Sequence, residues 1–338
     1  MHDTIKARPA YGSDQHGLIC GYLFGAAGSG RDIGLDEALG WLTSEAPGET
    51  FLWLHFNLAD ASAERWIETH LAPPAEFFEA LRSGSRSTRI EHAGDCLTAV
   101  INDVAYEFSF DPSEIKTLWL SANRRVAISA RVHALRSIDR LRQAVKDGHS
   151  FGSTVALLNH LLHDQGDVLV RIVREATLRV DAIEDSLLQG RLTHKRGELG
   201  KLRRVLVRLQ RLLAPEPGAL FRLLREPPAW VAEHDLDEMR QATEEFSLVL
   251  RDLAALQERI KLLQEEMAAQ VGEQTNRSVF TLTMVTVLAL PINITAGLFG
   301  MNVGGIPLGS SEHGFIVVVL LILVFTLAAA WLAFRRRD

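Results

Sequence analysis

The stretch Val279-Phe-Thr-Leu-Thr-Met-Val-Thr-Val-Leu-Ala-Leu-Pro-Ile-Asn-Ile-Thr-Ala-Gly-Leu-Phe299, followed at once by Gly300-Met301-Asn302, decides the architecture of this 338-residue chain. No charged side chain occurs between Val279 and Phe299, and none between Phe315 and Phe334. Each segment is about 20 residues, roughly 30 Å as helix, which matches the hydrocarbon thickness of a bilayer. Two C-terminal spans are therefore expected, 278–300 and 315–334, joined by a loop at 301–314 and followed by a tail at 335–338. The loop holds no Lys or Arg, whereas Arg277 precedes the first span and Arg335, Arg336 and Arg337 follow the second. This bias puts both termini of a multi-pass protein on the cytoplasmic side and the loop outside.

The first span is polar along one side. At heptad spacing one seam runs Asn276, Thr283, Leu290, Gly297 and the other Val279, Thr286, Asn293, Gly300, and together they form one helix face. The second span is Val, Leu, Ile, Phe and Ala nearly all round. Two spans cannot enclose a pore, so a ring of first spans from several copies is expected, with second spans facing lipid. Small and hydroxyl residues also line ordinary membrane helix contacts; two Asn on the same face exceed what close packing requires.

Upstream of the spans, the helical pattern has no Pro between Ala229 and Pro291, which predicts one rod of about 70 residues, roughly 100 Å long. Before it lie helical segments at 134–146 and 154–213, the latter interrupted at Gly190 and Gly197, with breaks at Pro215-Glu-Pro217 and Pro227-Pro228. These make a helical and stalk domain over 132–277. Residues 1–131 read as an α/β domain. Its strands are expected at Leu18–Phe24, Phe51–Phe56, Cys96–Ile101 and a hairpin of 117–121 with 125–129, and its short helices at 61–71 and 74–81.

Composition excludes several classes. With 47% hydrophobic residues and 36 basic against 42 acidic side chains, the chain is not disordered, collagenous or a polybasic nucleic-acid binder. Cys20 and Cys96 suit a reducing compartment better than a disulfide framework. Met1 to Lys6 precede no apolar run, so no cleaved signal peptide is expected. Charge is nevertheless segregated: residues 191–211 hold eight bases against Glu198, and residues 233–273 hold eleven acids against four bases. The basic run reads either as an anion patch or as a helix ion-paired near the acidic rod, and opposite charge close at hand favours the second.

Few other groups carry chemistry. His160, His163, Asp164 and Asp167, at i, i+3, i+4 and i+7, share a helix face and form a candidate metal cluster, although exposed polar residues give the same pattern. Glu312-His313 is a candidate for attracting or briefly ligating metal in the outer loop. Glu91-His92 with Asp95-Cys96 is a weaker one. Gly25-Ala-Ala-Gly-Ser-Gly30 lacks the Lys-Ser/Thr of a phosphate loop and reads as a turn. No nucleophile and base fall at catalytic spacing, and no enzyme is expected.

The stretches Asp95–Asp103, 117–121, Leu135–Leu141 and Gly297-Leu-Phe-Gly-Met-Asn-Val-Gly-Gly-Ile-Pro307 resemble the CorA superfamily of divalent-cation transporters, and more closely its ZntB zinc-transport branch. The resemblance covers the chain from about residue 16 to the end. It implies a funnel-shaped homopentamer in the bacterial inner membrane with a central pore lined by the first span. Gly300, Met301 and Asn302 would form the outer mouth, Asn302 holding hydrated ions, and Asn276, Thr283, Thr286, Leu290, Asn293 and Gly297 would line the channel. The cargo implied is Zn²⁺, with Mg²⁺, Co²⁺, Ni²⁺ and Cd²⁺ as alternatives, and no prosthetic group or nucleic acid is implied. Uptake in that branch is coupled to protons. Some members of the zinc branch carry Val in the middle of the signature, whereas this chain carries Met301, as magnesium carriers do. The competing readings are a Mg²⁺/Co²⁺ channel gated by cytoplasmic metal and, in another class, a membrane-anchored sensor.

Overall fold

The computed structural model describes residues 12–44, 50–83, 88–105, 108–189, 195–301, 307 and 312–335. The chain divides into two compact units, one ending at Leu262 and the other starting at Leu263. The first unit is built on a seven-stranded sheet. Its long strands are β1 (Leu18–Phe24), β3 (Phe51–Asn57), β5 (Cys96–Val104), β6 (Ile115–Ala122) and β7 (Val126–Arg131), and they form where the β-branched and aromatic runs lie. The short polar strands β2 (Gly30–Asp32) and β4 (Arg89–Ala93) take the two edges of the order β2-β1-β3-β7-β6-β5-β4. Among the described residues only the β3–β7 pairing is parallel. The expected hairpin is β6–β7, closed by Asn123, whose Oδ1 accepts from the N–H groups of Arg125 and Val126 at 2.9 and 2.8 Å.

Every residue of β3 is buried, because helices cover both faces of the sheet. Leu52, Leu54 and Phe56 pack on one side with α1 (Leu35–Thr43), α2 (Ala61–His70) and α3 (Ala75–Arg82). Phe51 and Trp53 face α4 (Arg136–Lys146), α5 (Thr154–Leu188) and α7 (Pro215–Arg225) on the other. A buried polar cluster of β3 and β7 is satisfied locally. The Trp53 indole donates to Ser129 Oγ at 2.8 Å, and Arg131 Nε donates to His55 Nε2 at 3.1 Å, which leaves His55 Nδ1 to face Ser129 Oγ at 2.8 Å. Burial, with Arg131 and Arg142 nearby, holds His55 well below the ordinary histidine range, so it is neutral.

Two punctuation signals act differently from their expectation. Gly197 lies inside α6 (Lys195–Leu213) and does not interrupt it. Pro215 does not begin a loop; it occupies the first position of α7, where its missing N–H would have no helical partner anyway. Gly190 falls outside the described residues. The rod is observed as α8 (Glu233–Phe299), 67 residues that continue through Pro291. The last helix is α9 (Gly314–Arg335), 22 residues. The fold class is thus an α/β unit, a long stalk helix and a C-terminal apolar pair, as expected.

Candidate functional site

The second unit holds the apolar part of α8, whose best membrane-length window has a mean hydropathy of 1.9 and no buried residue. Of its half-buried positions, Met284, Leu288, Pro291 and Thr295 fall on one side, at spacings of four, three and four, while Ala289 lies between that side and the seam. Asn276, Thr283, Thr286, Leu290, Asn293 and Gly297 are all exposed. At about 100° per residue, the polar seam is centred roughly 140° around the helix from the half-buried face. The protomer therefore covers the side of the span remote from the seam, and α9, apolar at nearly every position, has its own half-buried positions at Val318, Ile322 and Thr326.

The seam hydroxyls have a fixed polarity. Thr283 Oγ1 donates to the Val279 carbonyl at 2.8 Å and Thr286 Oγ1 to that of Leu282 at 2.9 Å. With their hydrogens committed to the helix, these oxygens present only lone pairs outward. Asn276 and Asn293 add amide carbonyls on the same face. A face of neutral acceptors suits the aqua ligands of a cation and is too weak to trap it, whereas carboxylates or thiolates in a pore would hold Zn²⁺. Leu290, 55% exposed, interrupts the face with one apolar position.

At the end of the span Gly300 N–H donates to Ala296 O at 2.9 Å. A Cβ on Gly300 would lie 3.0 Å from that same carbonyl, so a larger residue would crowd the last turn. Met301 is exposed. Asn302 lies outside the described residues, as do 303–306. Glu312 and His313 are both exposed just ahead of α9, and Val317 N–H donates to the His313 carbonyl at 3.2 Å.

In the first unit, the candidate histidine cluster is divided among separate partners. His160 Nε2 lies 3.5 Å from Asp164, which Arg140 of α4 also approaches at 3.5 Å. His163 turns instead to Glu245 of α8 at 3.5 Å, and Asp167 offers its backbone carbonyl to Arg171 Nε at 3.3 Å. Among the described residues, no three His, Cys, Asp or Glu side chains are grouped to hold a metal ion. The histidines line an open cleft of about 450 Å³ with His149, His234 and Glu238, none of which the sequence pattern could bring to α5 because they come from other segments. Glu91 and His92 sit exposed on β4, with Cys96 paired across the hairpin to Ala93. The glycine-rich turn between β1 and β2 is tied down where Phe151 N–H donates to Gly28 O at 2.8 Å. The basic helix α6 lies beside α8, Gln257 Nε2 donating to Leu206 O at 2.9 Å, and Arg196, Lys201, Arg204 and Arg211 are exposed. Arg259 of α8 pairs with Asp181 and Glu184 of α5.

Comparison with known proteins agrees with this arrangement. The family model described as CorA-like Mg²⁺ transporter protein matches residues 48–336. The "Divalent cation transporter CmaX" of Pseudomonas aeruginosa is 30% identical over 96% of this chain and 97% of its own length. The "Zinc transport protein ZntB" of Pectobacterium carotovorum is 25% identical over 94% and 95%. Among solved structures, full-length CmaX superposes with a TM-score of 0.80 at 27% identity, covering 96% of this chain and 99% of that one. The CorA magnesium transporter of Methanocaldococcus jannaschii shares the fold, with a TM-score of 0.74 at 19% identity over 94% and 98%.

Proposed function

The chain belongs to the family of CorA-like Mg²⁺ transporter proteins, and on that premise we propose that it takes up Zn²⁺ across a bacterial inner membrane through a pore formed by the first spans of five copies. The observation that carries the reading is the exposed seam of neutral acceptors, Asn276, Thr283, Thr286 and Asn293, on the side of the span that the protomer leaves uncovered. Exposed to lipid, those groups would be costly. Facing a shared axis, they line a water-filled path.

A bare divalent ion cannot enter hydrocarbon, since the Born cost is tens of kcal/mol. Five Asn302 amides at the mouth would hold the ion through its water, with Gly300 and Met301 shaping the backbone beneath them. Gly297, having no side chain, leaves room for a hydrated ion. A ring of five Leu290 forms an apolar constriction that closes by dewetting. Glu312 and His313 raise the local cation concentration outside the mouth. The soluble unit and both termini lie in the cytoplasm. No ionisable side chain lies between Val279 and Phe299, so proton coupling would have to draw on groups outside the span.

Zn²⁺ is supported by the ZntB relatives and by the sequence Val303-Gly-Gly-Ile-Pro307. A second reading, Mg²⁺ or Co²⁺ as cargo, is favoured by Met301 and by the matched family. Purified protein in vesicles distinguishes them. Zn²⁺ uptake that exceeds Mg²⁺ uptake, accelerates with an inward proton gradient and falls to background in Asn302→Ala is expected. Mg²⁺ preference overturns the cargo, a flux indifferent to the gradient overturns the coupling, and unchanged flux in the variant overturns the mouth assignment. No metal flux from the wild type would instead make the spans a tether.

A further inference from the structure

Glu216 is in the first turn of α7, where a carboxylate is normally ionised, exposed and favoured by the helix dipole. Here it is completely buried, at 0% exposure, against Gln165 of α5 and close to Asp103 of β5, both buried as well. Gln165 Nε2 donates to the Asn102 carbonyl at 2.7 Å and to Glu216 Oε2 at 3.2 Å. That leaves two buried oxygens without a donor, Glu216 Oε1 and Gln165 Oε1. Two acceptors cannot bond each other, and an orphaned buried acceptor costs about 1–3 kcal/mol. One proton on Glu216 Oε1 satisfies both at once, because a carboxylic acid and a primary amide close a ring of two antiparallel hydrogen bonds.

We propose that Glu216 is a proton-binding site of the N-terminal unit, carrying as a neutral acid the hydrogen that bonds Gln165 Oε1 and ties α7 to α5. The surrounding charges agree with this assignment. Burial pushes the Glu216 carboxyl up to about 8, with the Gln165 hydrogen bond opposing and Asp103 adding to the rise. Asp103 is itself raised to about 6 by burial, against the Ser137 and Val104 N–H groups it accepts from, with Asp164 adding to the rise. Among the described residues none of the charged groups on the neighbouring elements, Arg89, Glu91 and His92 of β4 and Arg208 and Arg211 of α6, bonds or pairs with Glu216. Losing the proton leaves a buried anion facing a carbonyl oxygen, with a second acid nearby, and drives α7 from α5. Between the ordinary glutamate range and about pH 8 the folded unit holds a proton that the unfolded chain has released, so stability falls as pH rises through that window. The site is independent of which ion the pore carries.

Infrared spectra of the full-length wild type in detergent, taken as a pH titration, test the site without any variant. A protonated carboxyl C=O band that disappears with a midpoint near pH 8 is expected, and α7 amides should exchange about tenfold faster at about pH 9 than at about pH 7 after correction for intrinsic rates. Glu216→Gln places an N–H where the acid O–H sits. It should remove the band and keep α7 protected at both pH values. A wild type with no such band, or a Glu216→Gln protein whose α7 loosens with pH as the wild type does, overturns the assignment.

Discussion

Leu290 is the apolar residue that lies between Thr286 and Asn293 in the seam, and its replacement tests whether dewetting closes the path. Leu290→Asn should raise resting cation flux severalfold, measured as uptake into vesicles, because a polar ring keeps the constriction wet. His55 tests the first unit. It accepts from buried Arg131, so His55→Ala should cost about 3 kcal/mol by orphaning that donor and opening a cavity, read as a fall in the thermal midpoint. The wild type has a matching pH dependence. His55 is neutral in the folded state and the unfolded chain takes up a proton below about pH 6.5, so stability falls as pH drops below that value. The His55→Ala protein should show less of this fall. Sequence could place Leu290 by its spacing; it could not reveal the His55–Arg131 bond, which joins adjacent strands separated by 76 residues.

At the level of elements, Ser153 links the two long helices of the first unit. Its Oγ accepts from Ala156 N–H at 2.9 Å as the cap of α5 and donates to Asp235 in the first turns of α8 at 2.7 Å. Ser153→Ala should destabilise the unit by about 1–2 kcal/mol and loosen amide exchange at residues 233–239. Elements with a strong period were legible: α8 and the hairpin β6–β7 were expected close to where they lie. β2 and β4 were not, because edge strands bearing Arg31 and Asp32, or Arg89, Glu91 and His92, have no apolar alternation to reveal them. α6 and α7 show why punctuation misleads. Gly197 costs a helix about 1 kcal/mol, which neighbouring turns can absorb, and Pro215 is as compatible with a helix start as with a break. The seam was legible because helical periodicity fixes a face. The division of His160 and His163 between Asp164 and Glu245 was not, since periodicity says nothing about what opposes that face.

Taken as a whole molecule, the chain has a mean hydropathy near zero that results from two contrasting parts. One is a charged unit with a sheet covered on both sides; the other is a pair of uncharged segments. A single copy leaves the polar seam uncovered, and the account requires a ring of copies to hide it from lipid. Native mass measurement in mild detergent should give a pentamer. The most direct test of the pore is thiol accessibility in a background lacking Cys20 and Cys96. Single cysteines at Thr283, Asn293 and Leu288 are treated with a cationic, membrane-impermeant thiol reagent while Zn²⁺ uptake into vesicles is followed. Block of at least tenfold at Thr283→Cys and Asn293→Cys with no effect at Leu288→Cys is the result expected. Equal sensitivity at the three positions, or block at Leu288→Cys alone, would contradict a pore lined by the seam.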